Sequence, residues 1–148
     1  MQAPTQIEPT GLPDYLGVIT QAVFQSGMSW RVVEAKWDGF REAFAGFDPA
    51  AVAAFTDDDV ERLAADAGII RNRRKIEATI TNAQAMLALD GEPGGFVGWL
   101  RSRGDFDATV AALRDEFRYL GDMGAYYFLY VVGEKVPSHE EWMKSHQS

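Results

Sequence analysis

The chain has 148 residues, with 14 Lys and Arg against 22 Asp and Glu, a formal charge of −8. Apolar residues make up 47% and aromatics 12%, enough for one buried core, which excludes a disordered chain and favours a single domain. There is no cysteine, which excludes a disulfide scaffold, a thiolate nucleophile and a cysteine-based zinc site.

Residues 1–13 hold Pro4, Pro9 and Pro13 with little apolar content, and are expected to form a flexible arm. From Asp14, a candidate N-cap, Leu16, Ile19, Val23 and Phe24 recur at helical spacing. Gly27-Met28-Ser29 breaks that run, and Ser29 is placed to cap a second helix on which Val32, Val33, Trp37 and Phe40 share a face. Phe44 and Phe47 carry the apolar pattern to Asp48-Pro49, a cap followed by a proline at the first helical position.

Thr56 starts the next helix, with Asp57, Asp58 and Asp59 in the first turn, where the helix dipole favours negative charge. Val60, Leu63 and Ala67 give it an apolar stripe, and Gly68 is expected to end it in a left-handed cap. A longer helix is predicted over 71–89, with Ile76, Ile80, Ala83 and Leu87 facing inward. Residues 90–95 read as a loop, and shorter helices are expected over 96–101 and 109–116.

Phe117-Arg118-Tyr119-Leu120-Gly121-Asp122-Met123-Gly124 follows, ahead of an apolar helix over 126–132. Two glycines three apart between helices suggest a helix–hairpin–helix. Backbone N–H groups at the start of its second helix could hold a phosphate without any side-chain charge. Gly121 and Gly124 read more readily as a helix C-cap and a close packing contact than as a phosphate site. No segment alternates with period two, so the chain reads as all-α. The predicted architecture is a helical domain over 14–133, with its hairpin at 117–124 and a C-terminal tail over 134–148.

Charge is unevenly distributed. Residues 1–70 carry 4 basic and 11 acidic side chains, whereas residues 71–119 carry 8 and 7. The densest basic cluster is Arg71-Asn72-Arg73-Arg74-Lys75, a solvated helix start or a phosphate contact. An acidic chain disfavours nucleic acid overall, so this cluster and the hairpin are the places where DNA could be held. No run of 18 apolar residues exists, and Met1-Gln2-Ala3-Pro4-Thr5 has no signal-peptide character. A soluble cytoplasmic protein with no membrane association is expected.

Several short motifs occur together. Phe24-Gln25-Ser26-Gly27-Met28-Ser29-Trp30 resembles the Q-x-G-[LM]-S-W stretch of the bacterial DNA-3-methyladenine glycosylase I family. Residues 47–49, 60–63, 66–73, 75–76 and 82–83 continue in the same register. Phe117-Arg118-Tyr119-Leu120-Gly121 resembles the family's hairpin.

The resemblance implies an all-helical enzyme of the helix–hairpin–helix glycosylase superfamily. Such an enzyme flips an alkylated purine out of duplex DNA and hydrolyses its N-glycosidic bond. It implies that Trp30 stacks on the cationic base; on that reading Gln25 or Gln21, the nearest polar side chains, would read the base edge, and Gly121, Gly124, Arg71, Arg73 and Lys75 would hold phosphates. No cofactor and no metal are expected, and the protein is expected to act as a monomer.

Three departures accompany the resemblance. The family's pocket glutamate falls on Ala22. Its N-terminal segment, which carries a zinc ligand and further pocket aromatics, has no counterpart. The zinc site needs two cysteines and two histidines, whereas this chain offers only His139 and His146, both read as surface residues. Relatives in the superfamily place a catalytic aspartate just after the second hairpin helix. Here Ser138 stands at that position, with Glu140 and Glu141 beyond it as displaced carboxylates or as part of a solvated tail. Tyr126 and Tyr127 are pocket or core residues. The alternative to a glycosylase is a non-catalytic protein of the same fold that binds damaged DNA or a protein partner.

Overall fold

Helices are the only regular structure among residues 4–145, which the computed structural model describes, and no strand occurs among them. The first helix, α1 (Leu12–Gln25), is the central element. Leu16, Ile19, Val23 and Phe24 are fully buried on it, and Thr20 is buried with its hydroxyl donating to the Leu16 carbonyl at 2.7 Å. It starts two residues earlier than expected. Pro13 suits a first turn, and Asp14 is not the cap: its carboxylate reaches back to accept from the Thr10 N–H at 2.8 Å.

Gly27, at φ 75°, turns the chain out of α1, and the Ser29 hydroxyl accepts from the Arg31 N–H to start α2 (Trp30–Ala35). Val33 is the buried residue of α2, while Val32 points outward, contrary to the predicted shared face. In α3 (Trp37–Ala43) and the 3-10 turn Ala45–Phe47, an aromatic stack forms. Trp37 and Phe47 lie 5.0 Å apart at 12°, and Phe24 meets Phe40 edge-on at 4.7 Å.

Asp48 caps α4 (Pro49–Ala53) as expected, accepting from Ala50 N–H. Thr56 and Asp59 form a reciprocal capping box at the start of α5 (Asp57–Ala64). This helix ends at Ala64, before Gly68, and Ala67 is an exposed loop residue. Gly68 instead passes close under Gly39 of α3, where a β-carbon on Gly39 would strike the Gly68 carbonyl.

Asn72 caps α6 (Arg73–Asp90) by accepting from the Lys75 N–H at 3.1 Å, which leaves Arg71 outside the helix. Ile76, Thr79, Asn82, Ala83 and Met86 are buried along its inner face, whereas Leu87 is exposed. Two left-handed glycines, Gly94 and Gly95, lead into α7 (Gly95–Arg101). Asp105 caps α8 (Phe106–Glu116), three residues ahead of the predicted start. The hairpin then leads into α9 (Asp122–Val131), which packs along α1.

Both terminal segments lie against α9. Ile7 N–H donates to the Val131 carbonyl at 2.8 Å, and the Gln6 amide donates to the Tyr130 carbonyl. At the other end, α10 (His139–Ser145) buries Trp142, whose ring stacks on Tyr126 at 4.3 Å. Ile7, exposed but bound through its backbone, and the buried Trp142 are thus both tied to α9, whereas the sequence expectation left them in an arm and a solvated tail. Residue 146 and its successors lie outside the described residues, as do residues 1–3.

Candidate functional site

The Ser29 cap places Trp30 at the first position of α2, where 49% of it is exposed. The face of Trp30 already attracts a cation: the Arg31 guanidinium lies 5.7 Å from the ring centroid. Gln21 and Gln25, one turn apart on α1, are half-buried on the same side as Tyr127 of α9. The Tyr127 hydroxyl donates to Gln21 Oε1 at 3.2 Å. Burial pushes that hydroxyl above its ordinary value, a hydrogen bond with Gln25 lowers it, and the charge of Glu34 on α2 raises it again. Gln21, Gln25 and Tyr127 therefore form one hydrogen-bonded group. Tyr126, the neighbouring candidate, is a core residue whose hydroxyl donates to the Pro137 carbonyl.

Ala22 is buried between the two glutamines. A β-carbon added to Gly124 would stand 3.5 Å from that of Ala22 and 3.0 Å from Leu120 Cδ1. Gly124 is thus the packing contact that lets α9 approach α1, and small residues meet there from both sides. Gly121 plays the other part, as the N-cap of α9 with open space around it and no side chain closing the helix end.

The hairpin is held from below by Asn82. Its side-chain amide donates to the Arg118 carbonyl at 3.2 Å and its oxygen accepts the Arg118 N–H at 2.8 Å. Asn82 is almost wholly buried, so this clamp fixes the hairpin to α6. Tyr119, at φ 60°, is turned outward at the tip. A cavity of about 930 Å³ opens between the end of α1 and the hairpin, lined among others by Ser26, Arg114, Arg118, Tyr119 and Gly121. Arg114 and Arg118, exposed on either side of it, are cations that sequence reasoning did not single out. Arg114 pairs with Asp122, the first residue of α9, at 2.8 Å.

The basic cluster is divided. Arg71 and Arg74 are exposed, and Arg73 is exposed but paired with Glu61 at 2.8 Å. Lys75 is a correction to the expected phosphate contacts. It is buried, and its ammonium donates to the carbonyls of Ser26 at 2.6 Å and Phe24 at 3.2 Å, at the last turn of α1. Burial pulls its pKa down. The signal was present in the register, because Lys75 shares its helix face with Ile76, Thr79 and Asn82.

Beyond the hairpin helix, Glu141 lines a cavity together with Asp107, Arg114 and Asp122. Ser138 caps α10, its hydroxyl accepting from the Glu141 N–H at 3.1 Å, and Glu140 is exposed. The zinc implied by the family resemblance does not fit the residues present. The chain has no cysteine, the His139 ring lies 5.8 Å from that of Tyr130, and His146 lies outside the described residues. Among the described residues no three His, Asp or Glu side chains converge as a metal would require.

The model of the methyladenine glycosylase family matches residues 16–120. DNA-3-methyladenine glycosylase 1 of Escherichia coli K12 is 52% identical over 71 residues, which cover 47% of this chain and 38% of that protein. The DNA-3-methyladenine glycosylase of Haemophilus influenzae is 42% identical over 66 residues, 45% of this chain and 36% of that one. The matched stretches thus span well under half of these two relatives. A crystal structure of 3-methyladenine DNA glycosylase I superposes with a TM-score of 0.75 at 30% identity, covering 86% of this chain and 81% of that one. With the family model spanning most of the chain and the fold shared with a solved member, this chain belongs to the methyladenine glycosylase family.

Proposed function

We propose that this chain excises an N3-methylated purine from duplex DNA. The observation that carries the reading is Trp30. Its ring is exposed at a capped helix start on α2, which packs against α1, the helix that carries the hydrogen-bonded Gln21 and Gln25. A purine methylated at N3 is a cation, and a tryptophan face attracts it through the ring quadrupole. Gln21 and Gln25 offer amide donors and acceptors to the base edge.

The bond between C1′ and the base nitrogen breaks with its electron pair going to the base, which leaves neutral. Water oxygen joins C1′ and its proton passes to solvent, leaving an abasic site. Because the leaving group is already charged, stacking and water exclusion supply much of what the reaction needs. Phosphates on either side of the flipped nucleotide are held by the open Gly121 end of α9 and by Arg71, Arg73, Arg74 and Arg118. The same proposal makes the protein a cytoplasmic monomer. No described helix is long and apolar enough to cross a membrane.

The test is release of free 3-methyladenine from methylated duplex DNA. Wild type is expected to release it above background, and Trp30→Ala to lose about tenfold or more, the range of a base–aromatic stack. The close approach of Ala22 and Gly124, which leaves no carboxylate at that point of α1, favours a second reading in which the fold binds damaged DNA without cleaving it. Salt-dependent binding of methylated duplex with no base release would select that reading.

A further inference from the structure

Trp30 is the first residue of α2 and Glu34 follows it by four, so the two side chains rise from one face of that helix. Both are exposed. The helix α2 packs on α1, which carries Gln21 and Gln25, and Gln21 accepts from Tyr127 of α9; all three side chains are uncharged. The remaining charged group of α2 is Arg31, on the Trp30 ring. Glu34 has no ion-pair partner among the described residues, whereas the nearby Lys36 ammonium is engaged with the Ala67 carbonyl at 3.0 Å. An unneutralised carboxylate thus stands one helical turn from a ring suited to a cation.

We propose that Glu34 is the anionic group of the base pocket, placed to oppose the positive charge of a methylated purine and of its sugar as the bond between them breaks. This assignment rests on the glycosylase reading above. As the bond breaks, positive charge moves from the base to C1′, and a carboxylate fixed nearby stabilises the charge in both places. The effect of Glu34 on the Tyr127 hydroxyl is consistent with a carboxylate that faces the pocket. Since Glu34 is solvent-exposed, its contribution is screened by salt.

The experiment compares base release from methylated duplex DNA by wild type, Glu34→Gln, Glu34→Asp and Glu42→Gln. Glu42 is an exposed carboxylate on α3 that serves as the control for a change of one charge. Glu34→Gln is expected to slow release about fivefold, and the wild-type advantage to narrow as salt is raised. Glu34→Asp is expected to recover part of the rate, and Glu42→Gln to match wild type. The Tyr127 titration, followed by NMR, is expected to move down in Glu34→Gln. Melting temperatures of the Glu34 variants should stay at the wild-type value, because the side chain is exposed and unpaired. Equal release by wild type and Glu34→Gln, or an unmoved Tyr127 titration, overturns the assignment and leaves the glycosylase reading intact. A wild type that releases no base overturns both.

Discussion

Lys75 of α6 donates its ammonium to the carbonyl of Ser26 at 2.6 Å, across 49 residues of sequence. A second bond to Phe24 O makes the pair a cationic clasp on the C-terminal end of α1, where the helix dipole leaves carbonyls exposed. The segment just after this clasp, Gly27 to Ser29, is the one that presents Trp30. The cation taken from sequence as a DNA contact therefore ties α6 to the end of α1 instead.

Replacing it with Lys75→Met keeps the apolar stem and leaves two carbonyls without their donor. A loss of about 2–4 kcal/mol in unfolding free energy is expected, from charged hydrogen bonds and stranded acceptors. Denaturant unfolding measures it. A variant as stable as wild type would show that the clasp contributes nothing.

Asn82→Ala removes both hydrogen bonds to the Arg118 backbone. The expected cost is about 2–3 kcal/mol, with amide exchange accelerating first at residues 117–121. Exchange that stays slow there would mean that the hairpin is held by its apolar neighbours alone.

Asp122 stands where a phosphate would meet the start of α9, and Arg114 neutralises it at 2.8 Å. Asp122→Asn is expected to tighten binding of duplex DNA about two- to fivefold at low salt, by removing a carboxylate that competes for the helix end and freeing Arg114. Fluorescence anisotropy reads the change. Unaltered affinity would place the DNA backbone elsewhere.

Hydrogen bonding from the Thr56 backbone holds the Asp59 carboxyl below its ordinary value of 3.8, with the Thr56 hydroxyl and Arg62 adding to the effect. A carboxyl depressed in the folded state stabilises the fold above its unfolded pKa, and that stabilisation is lost as pH falls through the folded one. The stability gap between wild type and Asp59→Ala should thus be present at neutral pH and shrink steadily below about pH 4. Paired urea titrations across that range check it, and a gap independent of pH would deny the carboxylate its part in the cap.

Legibility of the chain followed the range of the interaction. Ser29, Asp48 and Thr56 were readable as caps because a cap binds backbone two or three residues away. The misplaced starts at Asp14 and Thr109 have the same origin. Asp14 and Asp105 are similar side chains, and which one caps depends on the backbone path that Pro13 and Gly104 impose. Gly68 was read as a helix end, but its neighbour is Gly39, brought there by packing.

By itself, the sequence determined the helical class, most of the helix boundaries to within a few residues, and the position of Trp30 at a capped helix start, since these depend on local hydrogen bonds and periodicity. It could not separate Tyr127 from Tyr126, and told Lys75 from Arg74 only through the helix face that Lys75 shares with Ile76 and Thr79. Adjacent residues of like chemistry were sent in opposite directions by which side of the helix met a neighbour. Only the tertiary structure decided that, by bringing Tyr127 to Gln21 over 106 residues and Asn82 to Arg118 over 36. Such pairings are set by burial of the surrounding apolar faces, and no local pattern encodes which polar group will be enclosed with which.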